Sequence, residues 1–162
     1  MTRIVAIDFE TANYNAHSAI AVGIAVIEGR EIIADKSWLI RPPRMSFTPA
    51  FIDIHGIHPE DVKDKPQFPD IWNELEPYLQ GAKMVAHNAM FDRRVLEATA
   101  QHYEIILPSM EWICTVQISR RRWPDLPRHK LNIVCEHLQI PLNHHDAGSD
   151  ALAAAKIYLA SQ

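Results

Sequence analysis

Cysteine is scarce. Cys114 and Cys135 are the only two, too few for a disulfide framework and without the spacing of a closed zinc site. No apolar run approaches the ~20 residues needed to cross a bilayer, so no membrane contact is expected. The opening Thr2-Arg3-Ile4-Val5-Ala6-Ile7-Asp8 has no separate apolar region followed by a small-residue cleavage site, so no secretory signal is expected either. Basic excess is absent too: the 162 residues carry a formal charge of −4, which argues against a protein dedicated to coating nucleic acid. Internal repeats and a linker to a second domain are also missing. These absences predict a cytoplasmic protein made of one domain, residues 1–162. A chain of 48% hydrophobic and 22% charged residues has the composition to fold as one.

Charge is unevenly spread. Arg120, Arg121, Arg122, Arg128 and Lys130 cluster around Trp123 and His129, and Arg93-Arg94 form a second basic group. Such a run is either a solvated surface or a surface for phosphates.

Residues 3–10 alternate as a strand. Ala19–Glu28 reads as a buried strand that Gly29-Arg30 turns into a third at Glu31–Ile40. Pro42-Pro43 ends that strand, and the Pro-punctuated stretch to Pro69 reads as irregular. Further on, helical spacing over Asp70–Leu79, a short strand at Lys83–His87 and a helix over Ala89–His102 are predicted. A strand at Glu111–Cys114 precedes helices near Thr115–Arg122, Lys130–Leu138 and Asp146–Ala160. A three-strand meander followed by alternating strands and helices predicts an α/β domain with a mixed sheet.

Three segments break these patterns. Asp8-Phe9-Glu10 ends an apolar strand with two acids on one face, their Cα atoms about 6.6 Å apart. Such a pair is either a solvated edge or a site for a hard cation such as Mg²⁺ or Mn²⁺. Val85 to Asp92 runs from a strand through Asn88 into a helix. There Asp92 suits either a ligand or the helix dipole, and Asn88 either a site or an N-cap. In His144-His145-Asp146-Ala147-Gly148-Ser149-Asp150, Asp146 is a natural N-cap. Asp150 projects from a helix of small apolar neighbours (Ala151, Ala153, Ala154, Ala155), where an unpaired acid is costly and a cation would relieve it. A four-ligand zinc site from Cys135, His137, His144 and His145 is a weaker alternative, its spacing fitting no familiar finger.

Together these segments resemble the DEDDh exonucleases, the family of the proofreading subunits of bacterial replicative polymerases, ribonuclease T and related enzymes. Asp8-Phe9-Glu10-Thr11, Asn88-Ala89-Met90-Phe91-Asp92 and His145 followed five residues on by Asp150 match its three motifs in order. Ile54-His55-Gly56-Ile57 resembles its His-Gly-Ile segment, and Leu131-Asn132-Ile133-Val134-Cys135 the helix before its third motif. Asp146, after the motif-three histidine, departs from the basic or hydrophobic residue often found there. Capping is the role expected of it.

The resemblance implies a ribonuclease H-like fold and a 3′→5′ exonuclease acting on single-stranded 3′ ends, with DNA the expected substrate and RNA the alternative. It also implies two Mg²⁺ ions, replaceable by Mn²⁺, held by Asp8, Glu10, Asp92 and Asp150, with His145 as general base. His144 is the adjacent competitor for that role. Thr11, Ala12, His55, Ile57 and Asn88 are the implied substrate-binding residues, Thr11 and Ala12 through their backbone. A non-catalytic nucleic-acid-binding module with the same fold is the rival from another class. The end of the chain at Gln162 predicts a free-standing enzyme, with association with a polymerase or repair complex as the other partner expectation.

Overall fold

The computed structural model describes residues 2–162. Strands β1 (Ile4–Thr11), β2 (Ala19–Glu28) and β3 (Glu31–Leu39) form the expected antiparallel meander. β4 (Lys83–Ala86) and β5 (Glu111–Cys114) extend it as parallel strands on the other side of β1, giving the order β3-β2-β1-β4-β5. The two-residue turn at Gly29-Arg30 sits where expected, with Gly29 at φ 64° in the left-handed region that a tight hairpin demands.

The helices are α1 (Pro49–His55), α2 (Pro59–Val62), α3 (Phe68–Leu79), α4 (Ala89–His102), α5 (Thr115–Arg122), α6 (Leu131–Leu138) and α7 (Ala147–Ala160). α1 and α2 lie inside the stretch read as irregular. Each begins with a proline at its first helical position. Proline lacks only an N–H that the first turn leaves unbonded anyway, so those prolines start helices here and break none.

β1 divides two cores by its alternation. Val5, Ile7 and Phe9 face one side and pack with Val22, Ile24 and Val26 against Leu75 and Leu79 of α3 and Val95 and Leu96 of α4. Ala6 faces the other side, where with Ala25, Ile27 and Val85 it meets Ala154 and Ala155 of α7. Small side chains on both partners let α7 lie close against the sheet, so whatever its first turn carries is brought near the end of β1.

Candidate active site

Alternation puts Asp8 and Glu10 on the α7 face of β1, and α7 delivers Asp150 to them. One carboxylate oxygen from each of Asp8, Glu10 and Asp150 lies within 4.8 Å of the others. A residue outside the motifs makes this possible. Gly23 pairs with Asp8 across the β1–β2 ladder, and a Cβ at Gly23 would fall 2.2 Å from the carbonyl oxygen of Ala147. The first turn of α7 therefore rests on bare backbone. The same turn reaches β3, where a Cβ on Gly148 would sit 3.2 Å from Ser37. Nothing in the spacing of the acids pointed to Gly23, although a glycine inside an apolar strand is a general sign of close backbone approach.

Asp92 is held differently. Pairing of β1 with β4 ends at Ala6–Val85, and beyond it the N–H of Phe9 donates to Asp92 Oδ1 at 2.9 Å. The buried Asp92 in the first turn of α4 thus takes over where β4 stops. Asp92 stands outside the group of three oxygens, yet its charge acts on both Asp8 and Glu10.

The acids strain against one another. Burial, then repulsion from Asp92, Glu10 and Asp150, raises Asp8 well above the usual carboxylate range. Burial, then repulsion from Asp150, Asp92 and Asp146, raises Glu10 to about 8. Burial also lifts Asp150 to about 6, against the backbone bond from His145 that lowers it. Asp8 Oδ2 and Asp150 Oδ1 are buried without a hydrogen-bond partner. Orphaned oxygens in a like-charged, desolvated cluster call for a cation, and an all-oxygen donor set fits a hard divalent ion. The residues present therefore suit the divalent metal that this chemistry requires.

His144 and His145 overhang the cluster. The His145 N–H donates to Asp150 Oδ2 at 3.1 Å, with His145 at φ 67°. The two imidazoles stack with centroids 3.6 Å apart, and His144 Nδ1 lies 3.5 Å from Asp150 Oδ1. His144, His145 and Asp150 also form a group able to hold an ion. Burial, then His144, lowers the proton affinity of His145, leaving it neutral near pH 7. Asp146 caps α7 as expected, accepting from the Ser149 N–H at 2.9 Å.

The other expected contacts are distributed as follows. His55 accepts the Ile57 N–H at Nδ1, so its Nε2–H donates to the Thr11 carbonyl at 3.0 Å. Both ring nitrogens are thereby committed to tying α1 to the end of β1. Thr11 is buried and its carbonyl is used in that tie. Ala12 is fully buried; its N–H donates to Ser18 and its carbonyl accepts from Thr48. Against the backbone approach to a nucleotide expected of it, Ala12 binds the loop together. Ile57 packs partly on Ala12, Ile20 and Val62, and with His55 and His145 lines a cleft of about 370 Å³. Asn88 is exposed at φ 72°, capping α4 by position without a side-chain cap bond. Cys135 is buried between α6 and α7, and no group able to hold a metal among the described residues includes it or His137, so the zinc alternative falls.

Two acids at the end of a central strand, a third on the last helix, a fourth at the start of a neighbouring helix and a histidine beside them form a cluster suited to a divalent ion on a ribonuclease H-like fold. The RNase T exonuclease family model matches residues 5–158, and the chain belongs to that family. Exodeoxyribonuclease 10 of Escherichia coli strain K12 is 34% identical over 171 residues, covering 98% of this chain and 67% of its own length. The DNA polymerase III epsilon subunit of the same strain is 28% identical over 174 residues, covering 99% of this chain and 71% of its own. Exonuclease X, solved with 5′ overhanging duplex DNA, superposes with TM-score 0.73 at 28% identity, covering 98% of this chain and 90% of that one. The nuclease domain of 3′hExo, a DEDDh member bound to rAMP, shares the fold at TM-score 0.81 and 19% identity, covering 98% and 90%.

Proposed function

We propose that this exonuclease works in the 3′→5′ direction on single-stranded DNA, releasing nucleoside 5′-monophosphates, with two Mg²⁺ ions that Mn²⁺ can replace. The observation carrying this reading is the convergence of Asp8, Glu10 and Asp150 oxygens within 4.8 Å, in a cluster where Asp8 and Asp150 each bury an orphaned oxygen, beside His145. Two such ions would stabilise the charge growing on the attacking and leaving oxygens.

The chain's own residues do the rest. Asp8, Glu10, Asp92 and Asp150 would hold the ions, with Asp8 under the charge of the other three. Asp92 is steadied by the Phe9 N–H. His145, neutral at working pH, accepts the proton of the attacking water on a ring nitrogen. The Asp150 carboxylate fixes the histidine's backbone while serving the cluster, so one residue registers base and acids together. The cleft walled by His55, Ile57 and the start of α7 accommodates a terminal nucleotide, which supports action at an end. The deoxyribonuclease and DNA polymerase names of the relatives support DNA as the substrate.

The test compares release from 5′-labelled single-stranded DNA, duplex DNA with a 3′ overhang, and short RNA of the same sequence. Stepwise shortening of the single-stranded DNA is expected, fastest of the three. Asp8→Ala should abolish it, and His145→Ala should slow it about 10²–10⁴-fold, with melting of both variants preserved. Wild-type rates in both variants would show the site to be wrongly placed. Faster trimming of RNA would assign the enzyme to RNA ends.

A further inference from the structure

A second cleft, of about 590 Å³, opens beside the acidic centre. It is lined by His87, Val116, Arg120, Pro127, Arg128, His129 and Lys130. His87 follows β4, which runs parallel to β1, so the cleft lies at the same end of the strands as Asp8 and Glu10. His144 is near enough to His87 to influence its charge. No acid lines the cleft, and Arg120, Arg128 and Lys130 are exposed and form no ion pair among the described residues. Arg93 of the other basic group is instead paired with Glu97 at 2.8 Å.

The loop carrying two of these cations is tied down by a chain of hydrogen bonds. Thr115 Oγ1 lies 2.8 Å from His87 Nδ1, and His87 Nε2 donates to the His129 carbonyl at 2.8 Å. Ser119 Oγ donates to the Val116 carbonyl at 2.8 Å, so His129 Nδ1–H donates to Ser119 Oγ at 3.0 Å. Thr115 and Ser119 are fully buried. The loop between α5 and α6 is therefore fixed through His129, to His87 at the end of β4 and to Ser119 on α5, and the cations beside it need little ordering when an anion arrives.

Given the exonuclease function proposed above, we infer that Arg120, Arg128 and Lys130 form a preset track for the phosphates of the single strand upstream of the nucleotide being removed. Paired with the acidic centre, the track divides the work. The acids act on the terminal bond, and the cations hold the strand that supplies it. Val116 and Pro127 give the same cleft apolar surface against which sugars and bases can lie.

The test is the combined variant Arg120→Ala, Arg128→Ala, Lys130→Ala, assayed on a thymidylate 12-mer and on the p-nitrophenyl ester of thymidine 5′-monophosphate. Expected is a rise of at least tenfold in KM for the 12-mer, with kcat on the ester unchanged within about twofold. The dependence of log KM on log salt should flatten by about 2, at roughly 0.7 per phosphate contact for single strands. An unchanged KM and salt slope overturns the track, as does an equal loss on the ester. So does an equal loss in Arg3→Ala, Arg30→Ala, which removes charge at the opposite end of the strands. Binding of a fluorescent 12-mer in EDTA, measured by anisotropy, separates the two proposals. If wild type hydrolyses neither substrate, the exonuclease reading fails. The track still stands or falls on whether the variant binds at least tenfold more weakly.

Discussion

His87 shows how much one side chain can be asked to do. Burial pushes its imidazole down to about 4, against the His129 carbonyl bond that would raise it, with His144 and His129 adding to the lowering. The folded protein thus keeps His87 neutral where the unfolded chain, with a value near 6.5, has taken up a proton. Stability from this residue is full above about pH 6.5 and is lost as pH falls toward 4, with a ceiling of about 3 kcal/mol. Because the acidic centre gains stability over the same range, the readout is a difference: between pH 7 and 4 the wild-type urea midpoint should fall relative to that of His87→Gln. Parallel curves would show that His87 titrates normally. At this scale the sequence was legible where chemistry repeats, at Asp8, Glu10 and Asp150. It was silent where geometry decides. That both nitrogens of His55 are spent inside the chain depends on where α1 ends, and no spacing of residues reports that.

Among the elements, α7 has the most to lose. It meets β2 at Gly23, so Gly23→Ala would force a methyl into the Ala147 carbonyl and lift the helix's first turn from the strand. Overpacking of this kind costs about 1–3 kcal/mol. The larger effect expected is on the cluster, because Asp150 moves with the turn while Asp8 stays. Mn²⁺ affinity measured by calorimetry should drop at least tenfold in Gly23→Ala while far-ultraviolet dichroism is retained; unchanged affinity would mean that α7 adjusts without moving Asp150. The strands and the longer helices were legible because periodicity and turn residues agree along them. α1 and α2 were not, since seven and four residues are too short for an apolar period to show. Their prolines serve equally to end one element and to begin another.

At the scale of the whole molecule, the acidic centre ties metal, pH and stability together. Without a cation the folded protein keeps protons on Glu10 to about 8 and Asp150 to about 6, where the unfolded chain has released them near 4.5 and 3.8. Their stabilising contribution is therefore full at low pH and lost as pH rises through those higher values. Above about pH 7.5 His87 is neutral in both states, so from there to about pH 9 the metal-free melting temperature should decline. A divalent ion removes the repulsion, so millimolar Mg²⁺ or Mn²⁺ should raise Tm more at pH 8.5 than at pH 6.5. An increment independent of pH would place the ion away from these acids. The sequence matches to the two relatives run over 98% and 99% of this chain, so they bear on nearly all of the present fold.

The acids that meet at the end of β1 come from the first strand and the last helix, and this sets a timetable. A ribosome delivers Asp8 and Glu10 early, and Asp150 only when α7 leaves the exit tunnel. Until then the nascent chain holds an unfinished centre, in which Asp8 and Glu10 have no third oxygen donor from α7. A centre assembled this way is not whole until α7 is made, so a copy stopped short of that helix lacks its third donor.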